Sequence, residues 1–304
     1  MDASTGSHKK HKWRRRIGIT AAVVLLALVV FFVAALWRLG GMLASPAFRP
    51  VGTAPADLAA VDVSFPSTSG SRIPGWLSRA GAGQGAVLVL HGSGANRSDM
   101  IPRAQFLHAL GYTVLVIDMQ AHGESQGGHW ITFGDLESRD AAAAVEYLRH
   151  DAPGERIGII GISMGAAATV LAEKPLGVDA VVLESMYPTI EDAVEDRLRM
   201  EPGPWAVPAA PLLIALTGMR IGVSPRRLRP IDHIAQLRAP LFLLHGAIDH
   251  HTHIEEAKAV FAAAVEPKTM WIVDGAAHVD LHDFAKEEYE ARVGGFFAKY
   301  LRHQ

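Results

Sequence analysis

The sequence predicts an α/β protein, a mostly parallel sheet with helices on both faces, preceded by one transmembrane helix. Three observations predict it. Beyond residue 60, short runs of Val, Ile and Leu recur, as in strands buried on both faces. Amphipathic stretches separate them, the pattern of repeated strand–helix units. Near the N-terminus, residues 17–37 form an uncharged apolar run.

As a helix that run rises about 1.5 Å per residue and spans roughly 31 Å, the thickness of a hydrocarbon core. Lys9, Lys10, Lys12, Arg14, Arg15 and Arg16 precede it against the single acid Asp2; Arg38 and Arg49 follow. The positive-inside rule makes residues 1–16 a basic cytoplasmic tail and residues 17–37 a single-pass signal-anchor in the cell membrane. The remainder is then expected on the outer side. A cleaved signal peptide is the alternative, since Arg14, Arg15 and Arg16 are similar to a twin-arginine signal. Against cleavage, the run exceeds the usual apolar core of about 7–15 residues, and Met42-Leu43-Ala44 is not a clean cleavage site. Residues 38–60, with Gly40, Gly41, Pro46, Pro50, Gly52 and Pro55, read as a linker.

The remaining residues, 61–304, are expected to form one domain. Residues 61–65 and 73–78 read as an antiparallel pair. Further strands are expected at 86–90, 113–117, 156–160, 180–183, 240–244 and 269–273, and helices at 100–110, 133–149, 165–173, 254–264 and 282–301. Residues 186–235 break this rhythm and read as a cap insertion with an apolar run at 212–216, too short to span a bilayer.

Composition narrows the function. Of 304 residues, 49% are hydrophobic and 20% charged, enough for a sizeable core. There is no cysteine, which excludes a disulfide scaffold, a catalytic thiol and thiolate-bound metal. Residues 50–304 hold 21 basic and 30 acidic side chains, and a body this acidic repels nucleic acid. Neither a P-loop nor a dinucleotide-binding glycine motif is present.

In sheets of this class ligands bind beyond the carboxyl ends of the strands. The residues there are His91-Gly92-Ser93-Gly94, Asp118, Gly161-Ile162-Ser163-Met164-Gly165, Glu184, His245-Gly246-Ala247-Ile248-Asp249 and Asp274-Gly275-Ala276-Ala277-His278. The G-x-S-x-G pattern occurs twice. Ser125 lies in a loop well past its strand, with no helix after it. Ser163 stands directly between a strand and a helix-forming run, the context that raises a hydroxyl above a sheet and turns the first helical amides toward it. Ser163 is therefore the expected nucleophile, His278 the base and Asp249 the acid, with Glu184 the rival acid. The amides of Ser93 and Met164 are the expected oxyanion donors, with Gly94 as the fallback.

These segments resemble the landmarks of α/β-hydrolases, in order: HGSGANRS at 91–98, DMQAHGES at 118–125, GISMG at 161–165, HGAID at 245–249 and GAAH at 275–278. With its N-terminal segment the chain is most similar to membrane-anchored serine hydrolases near the monoacylglycerol lipase and serine aminopeptidase branch. The resemblance implies esterase, lipase, thioesterase or peptidase chemistry through a Ser163–Asp249–His278 triad, without cofactor or metal. It departs from that pattern at His250-His251 and at Met119-Gln120-Ala121.

The expected function is hydrolysis of a small-molecule or lipid carboxylic ester, with a peptidase or thioesterase as the alternative. A non-catalytic binding module is the lesser alternative, although all three triad residues are present. His245, His250, His251 and His253 with Asp249 also admit a metal reading, but the hydrolase pattern accounts for His245 and Asp249. His122 reads as a structural turn residue.

Overall fold

The computed structural model describes residues 4–302, with side chains from Trp13 onward; Lys9, Lys10 and Lys12 lie outside the described side chains. Helix α1 (Ser4–Leu43) comes first. Eight strands then build one sheet: β1 (Val61–Pro66), β2 (Arg72–Ser78), β3 (Ala86–Leu90), β4 (Thr113–Ile117), β5 (Ile157–Ile162), β6 (Ala180–Glu184), β7 (Leu241–Gly246) and β8 (Lys268–Val273). Between and after them run α2 (Ile101–Ala109), α3 (Asp135–Asp151), α4 (Met164–Val170), α5 (Ile190–Met200), α6 (Ala210–Ile221), α7 (Ile254–Ala263), α8 (Leu281–Phe284) and α9 (Lys286–Leu301).

The strand order is β1-β2-β4-β3-β5-β6-β7-β8. β1 and β2 pair antiparallel, β2 meets β4 antiparallel, and every later pair is parallel. β3, β4 and β6 are buried at every position, in keeping with their mostly aliphatic sequences. One core packs α3, α4 and the cap against a face of the sheet, and the other packs α2 and α9 against the opposite face. The chain passes from β3 to β4 on one side and returns to β5 on the other. This reversal opens a crevice beyond the ends of β3 and β5, where ligands of such sheets bind.

The structure departs from the sequence reading at both ends. Residues 38–43, read as the start of a linker, continue α1 and pack against α6. Gly40 and Gly41 allow this approach: a Cβ on Gly40 would collide with Thr217 Oγ1, and one on Gly41 would lie 2.6 Å from Arg220 Nη1. The tertiary contact thus overrides the weak helix propensity of two glycines. The following residues are tied down too, with Ala47 N–H donating to Ala121 O (2.7 Å) and Ile131 N–H to Ala44 O (2.9 Å). At the other end, residues 282–301 form two helices, broken at Ala285 (φ −132°, ψ 48°).

Exposed apolar side chains cover α1 from Ile17 to Phe32, whereas Leu36 is buried against the domain. The 31 residues from Trp13 to Leu43 are long and apolar enough to cross a membrane. Residues Pro204–Ile221 also meet that measure, but Leu213 and Ile214 in this stretch are buried.

Candidate active site

Ser163 joins β5 to α4 with φ +50° and ψ −110°, a conformation that costs an L-residue about 1–3 kcal/mol. The surroundings enforce it. Its N–H donates to Glu184 O (2.8 Å), and its carbonyl accepts from Ala167 N–H (3.0 Å). A Cβ on Gly165 would lie 2.5 Å from Leu90 O, so only glycine lets α4 start so close to β3.

His278 lies in the loop after β8, and its Nδ1 is 2.7 Å from Asp249 Oδ2. Asp249 is buried after β7, where its Oδ1 accepts from His251 N–H (2.8 Å) and Thr252 N–H (3.1 Å). Burial pushes this carboxyl up, but His278 and the two amides outweigh burial and hold it below the usual carboxylate range. Glu184 is engaged elsewhere: its carboxylate accepts from Arg103 and from Tyr289 Oη. Ser125 is buried away from the site and donates to His122 O (2.8 Å).

Ser93, Ser163, Met164 and His278 all line one cavity of about 580 Å³. The Gly94 amide is spent on His122 Nε2 (3.0 Å), whereas the Ser93 and Met164 amides take no hydrogen-bond partner among the described residues. Two buried imidazoles fix this loop. His91 Nε2 accepts from Met119 N–H (3.1 Å) and His122 Nε2 from Gly94 N–H, while their Nδ1 atoms lie 2.8 Å from Gly92 O and 2.9 Å from Gln120 O. Those partners require neutral rings with the proton on Nδ1. Burial, as the main cause, lowers both, His91 to about 3. His122 is thus structural, holding the loop after β3 as well as its own turn.

Most of the cavity wall is apolar and comes from the cap. Tyr187, Ile190, Leu198, Leu213, Ile214 and Ile221 contribute, and Arg197 and Glu201 are its charged residues. Leu39 and Leu43 of α1 also line it, which the sequence reading missed. The Gly40-Gly41 pair inside an apolar helix was the available signal, since paired small residues let helices approach closely.

His245 in β7 and the histidines after that strand point to separate partners. His245 Nε2 meets Thr252 O (2.9 Å), and His253 Nε2 lies 3.5 Å from Asp196 Oδ1. The His251 ring stacks on His278 with centroids 4.7 Å apart, and Arg197 Nη1 is 3.1 Å from its Nδ1. No three His, Asp or Glu side chains converge as a metal-binding group among the described residues. In the other departure, Gln120 Nε2 donates to Glu137 Oε1 (2.5 Å) and Trp130 O (2.9 Å), holding the loop after β4.

A family model described as serine aminopeptidase, S33, matches residues 81–216. The uncharacterized protein Rv2307c of Mycobacterium tuberculosis is 29% identical over 272 residues, 88% of this chain and 89% of that protein. The Pyrococcus furiosus esterase Pf2001 superposes with a TM-score of 0.71 at 27% identity, covering 85% of this chain and 98% of its own. A bacterial membrane phospholipase A shares the fold, with a TM-score of 0.59 at 18% identity over 94% of this chain and 98% of its own. Together with the eight-stranded sheet and the Ser163 turn, these likenesses show that the chain has the α/β-hydrolase fold.

Proposed function

We propose that this hydrolase is a membrane-anchored serine esterase acting on carboxylic esters with an apolar acyl group. The observation that carries the reading is the opening of Ser163 and the His278–Asp249 pair into one mostly apolar cavity. His278 takes the proton of Ser163 Oγ on Nε2, its Nδ1 being held by Asp249. Oγ bonds to the acyl carbon, and the Ser93 and Met164 amides stabilise the oxyanion. Collapse breaks the ester bond, and His278 gives its proton to the departing alkoxide. Water, deprotonated by His278, then releases the acid and restores Ser163. The esterase Pf2001 supports this choice among acyl-transfer reactions.

Helix α1 supplies the anchor in this reading. Trp13 and Trp37 flank its apolar stretch, where aromatic residues favour the membrane interface. Arg14, Arg15 and Arg16 at its N-terminal end support a cytoplasmic place for that end and an outer one for the hydrolase domain.

The deciding experiment is labelling by a fluorophosphonate probe of wild type, Ser163→Ala and Ser125→Ala. Labelling of wild type and Ser125→Ala, with none of Ser163→Ala, is expected. An ester, thioester and aminoacyl-amide panel on the labelling-competent protein then fixes the bond; preferential cleavage of the amide would move the reading to a peptidase.

A further inference from the structure

The cavity reaches from Ser163 and His278 under the cap to the contact between α1 and α6. At that contact Thr217, Gly218 and Ile221 of α6 and Leu39 and Leu43 of α1 form part of its wall. Along the helix axis, Leu39 and Leu43 stand about 3 Å and 9 Å beyond Trp37. Arg220 fixes this end of α1, its guanidinium 4.2 Å from the Trp37 ring and 5.4 Å from the Trp130 ring. The same helix thus carries an exposed apolar surface along Ile17–Phe32 and, within a few turns, one wall of the cavity holding Ser163.

We propose that the last turns of α1 are part of the substrate-binding site: Leu39 and Leu43 bound the acyl channel where it approaches the bilayer and set the acyl length accepted. The substrate class is a long-chain acyl ester whose chain lies along α1 while its carbonyl reaches Ser163. This rests on the serine-esterase reading. A wider side chain on α1 shortens the channel and a smaller one lengthens it.

The test uses the full chain in detergent micelles, with 4-nitrophenyl butyrate, laurate and palmitate, and a short-chain fluorophosphonate to count competent Ser163. Leu39→Trp and Leu43→Trp are expected to lower kcat/KM on palmitate roughly tenfold relative to butyrate, since each methylene misplaced in an apolar pocket costs about that much. Leu39→Ala and Leu43→Ala are expected to shift preference toward the longer ester. Probe labelling gives the fraction of competent Ser163 in each variant, to which kcat/KM is normalised. Equal changes on all three esters, or an unchanged profile, overturn the inference while leaving the esterase reading intact. A wild type that neither takes the probe nor cleaves butyrate overturns both.

Discussion

Arg103 clasps Glu184 beside the candidate active site, with Nε 3.1 Å from Oε1 and Nη2 2.7 Å from Oε2, both side chains being 1% exposed. The Glu184 carbonyl holds the Ser163 amide. Arg103 Nη1 also reaches Asp280 Oδ2 (2.8 Å), two residues beyond His278. One guanidinium therefore ties the strand end that supports the serine turn to the loop that carries the imidazole. Arg103→Met leaves the Glu184 carboxylate buried without its cation, and should destabilise the fold by about 3–5 kcal/mol. Arg103→Lys keeps the charge but not the fork, and should lower kcat more than it lowers stability. Urea unfolding beside ester kinetics separates the two; a lysine variant with wild-type kcat would show that the fork positions nothing.

Asp249→Asn should preserve the fold and lower kcat by about 10⁴. The amide keeps the shape of the carboxylate but cannot stabilise an imidazolium. Glu184→Gln, by contrast, should act through stability, since its partners are Arg103 and Tyr289. Steady-state kinetics at matched folded fraction distinguishes them.

Gly40→Ala gains about 1 kcal/mol of helix propensity but forces its methyl against Thr217 Oγ1. Overpacking costs about 1–3 kcal/mol, so the single variant should be less stable than wild type. Adding Thr217→Ala removes the obstructing hydroxyl and should recover the loss. Thermal unfolding of the two single variants and the double variant in micelles reads the coupling directly; additive effects would mean that the helices do not meet there.

Two buried groups pull the acid stability in opposite directions. His91 falls from 6.5 to about 3 on folding, so its contribution is present above pH 6.5 and lost as pH falls toward 3. Burial raises Asp140 from 3.8 to about 7, so its contribution is present below 3.8 and lost as pH rises through 7. Their slopes oppose each other between these limits. Asp140→Asn should therefore make Tm climb more steeply between pH 4 and pH 6.5 than in wild type, because the His91 slope is then unopposed. A Tm–pH curve no steeper than wild type would remove this account.

What was legible in the sequence is what local pattern encodes. The aliphatic runs mark the strands to within a residue or two, and their carboxyl ends supply Ser93, Ser163, Asp249 and His278, which meet across one crevice. What long-range packing decides was hidden. The choice between Asp249 and Glu184 depends on Arg103, which sits on α2 with partners far along the chain. A helix through Gly40-Gly41 depends on α6, and a pair of glycines before two prolines otherwise signals a loop. His251, visible only as a departure, is placed against His278 by the turn around Asp249.

The absence of a break between the apolar stretch of α1 and its docking on α6 has a mechanical meaning. A flexible tether lets a tethered domain sample a hemisphere of positions. An uninterrupted helix of 40 residues, pinned at its far end by Arg220, leaves it one height and one azimuth. With α1 in a bilayer, the mouth of the cavity stays at a constant distance from the lipid surface. On the proposed membrane-esterase reading, esters compete by whether their carbonyl reaches that level, so that depth in the membrane becomes a selector alongside chemical structure. Each residue added to or removed from the stretch between Ile17 and Phe32 would shift that level by about 1.5 Å and turn the domain by about 100°.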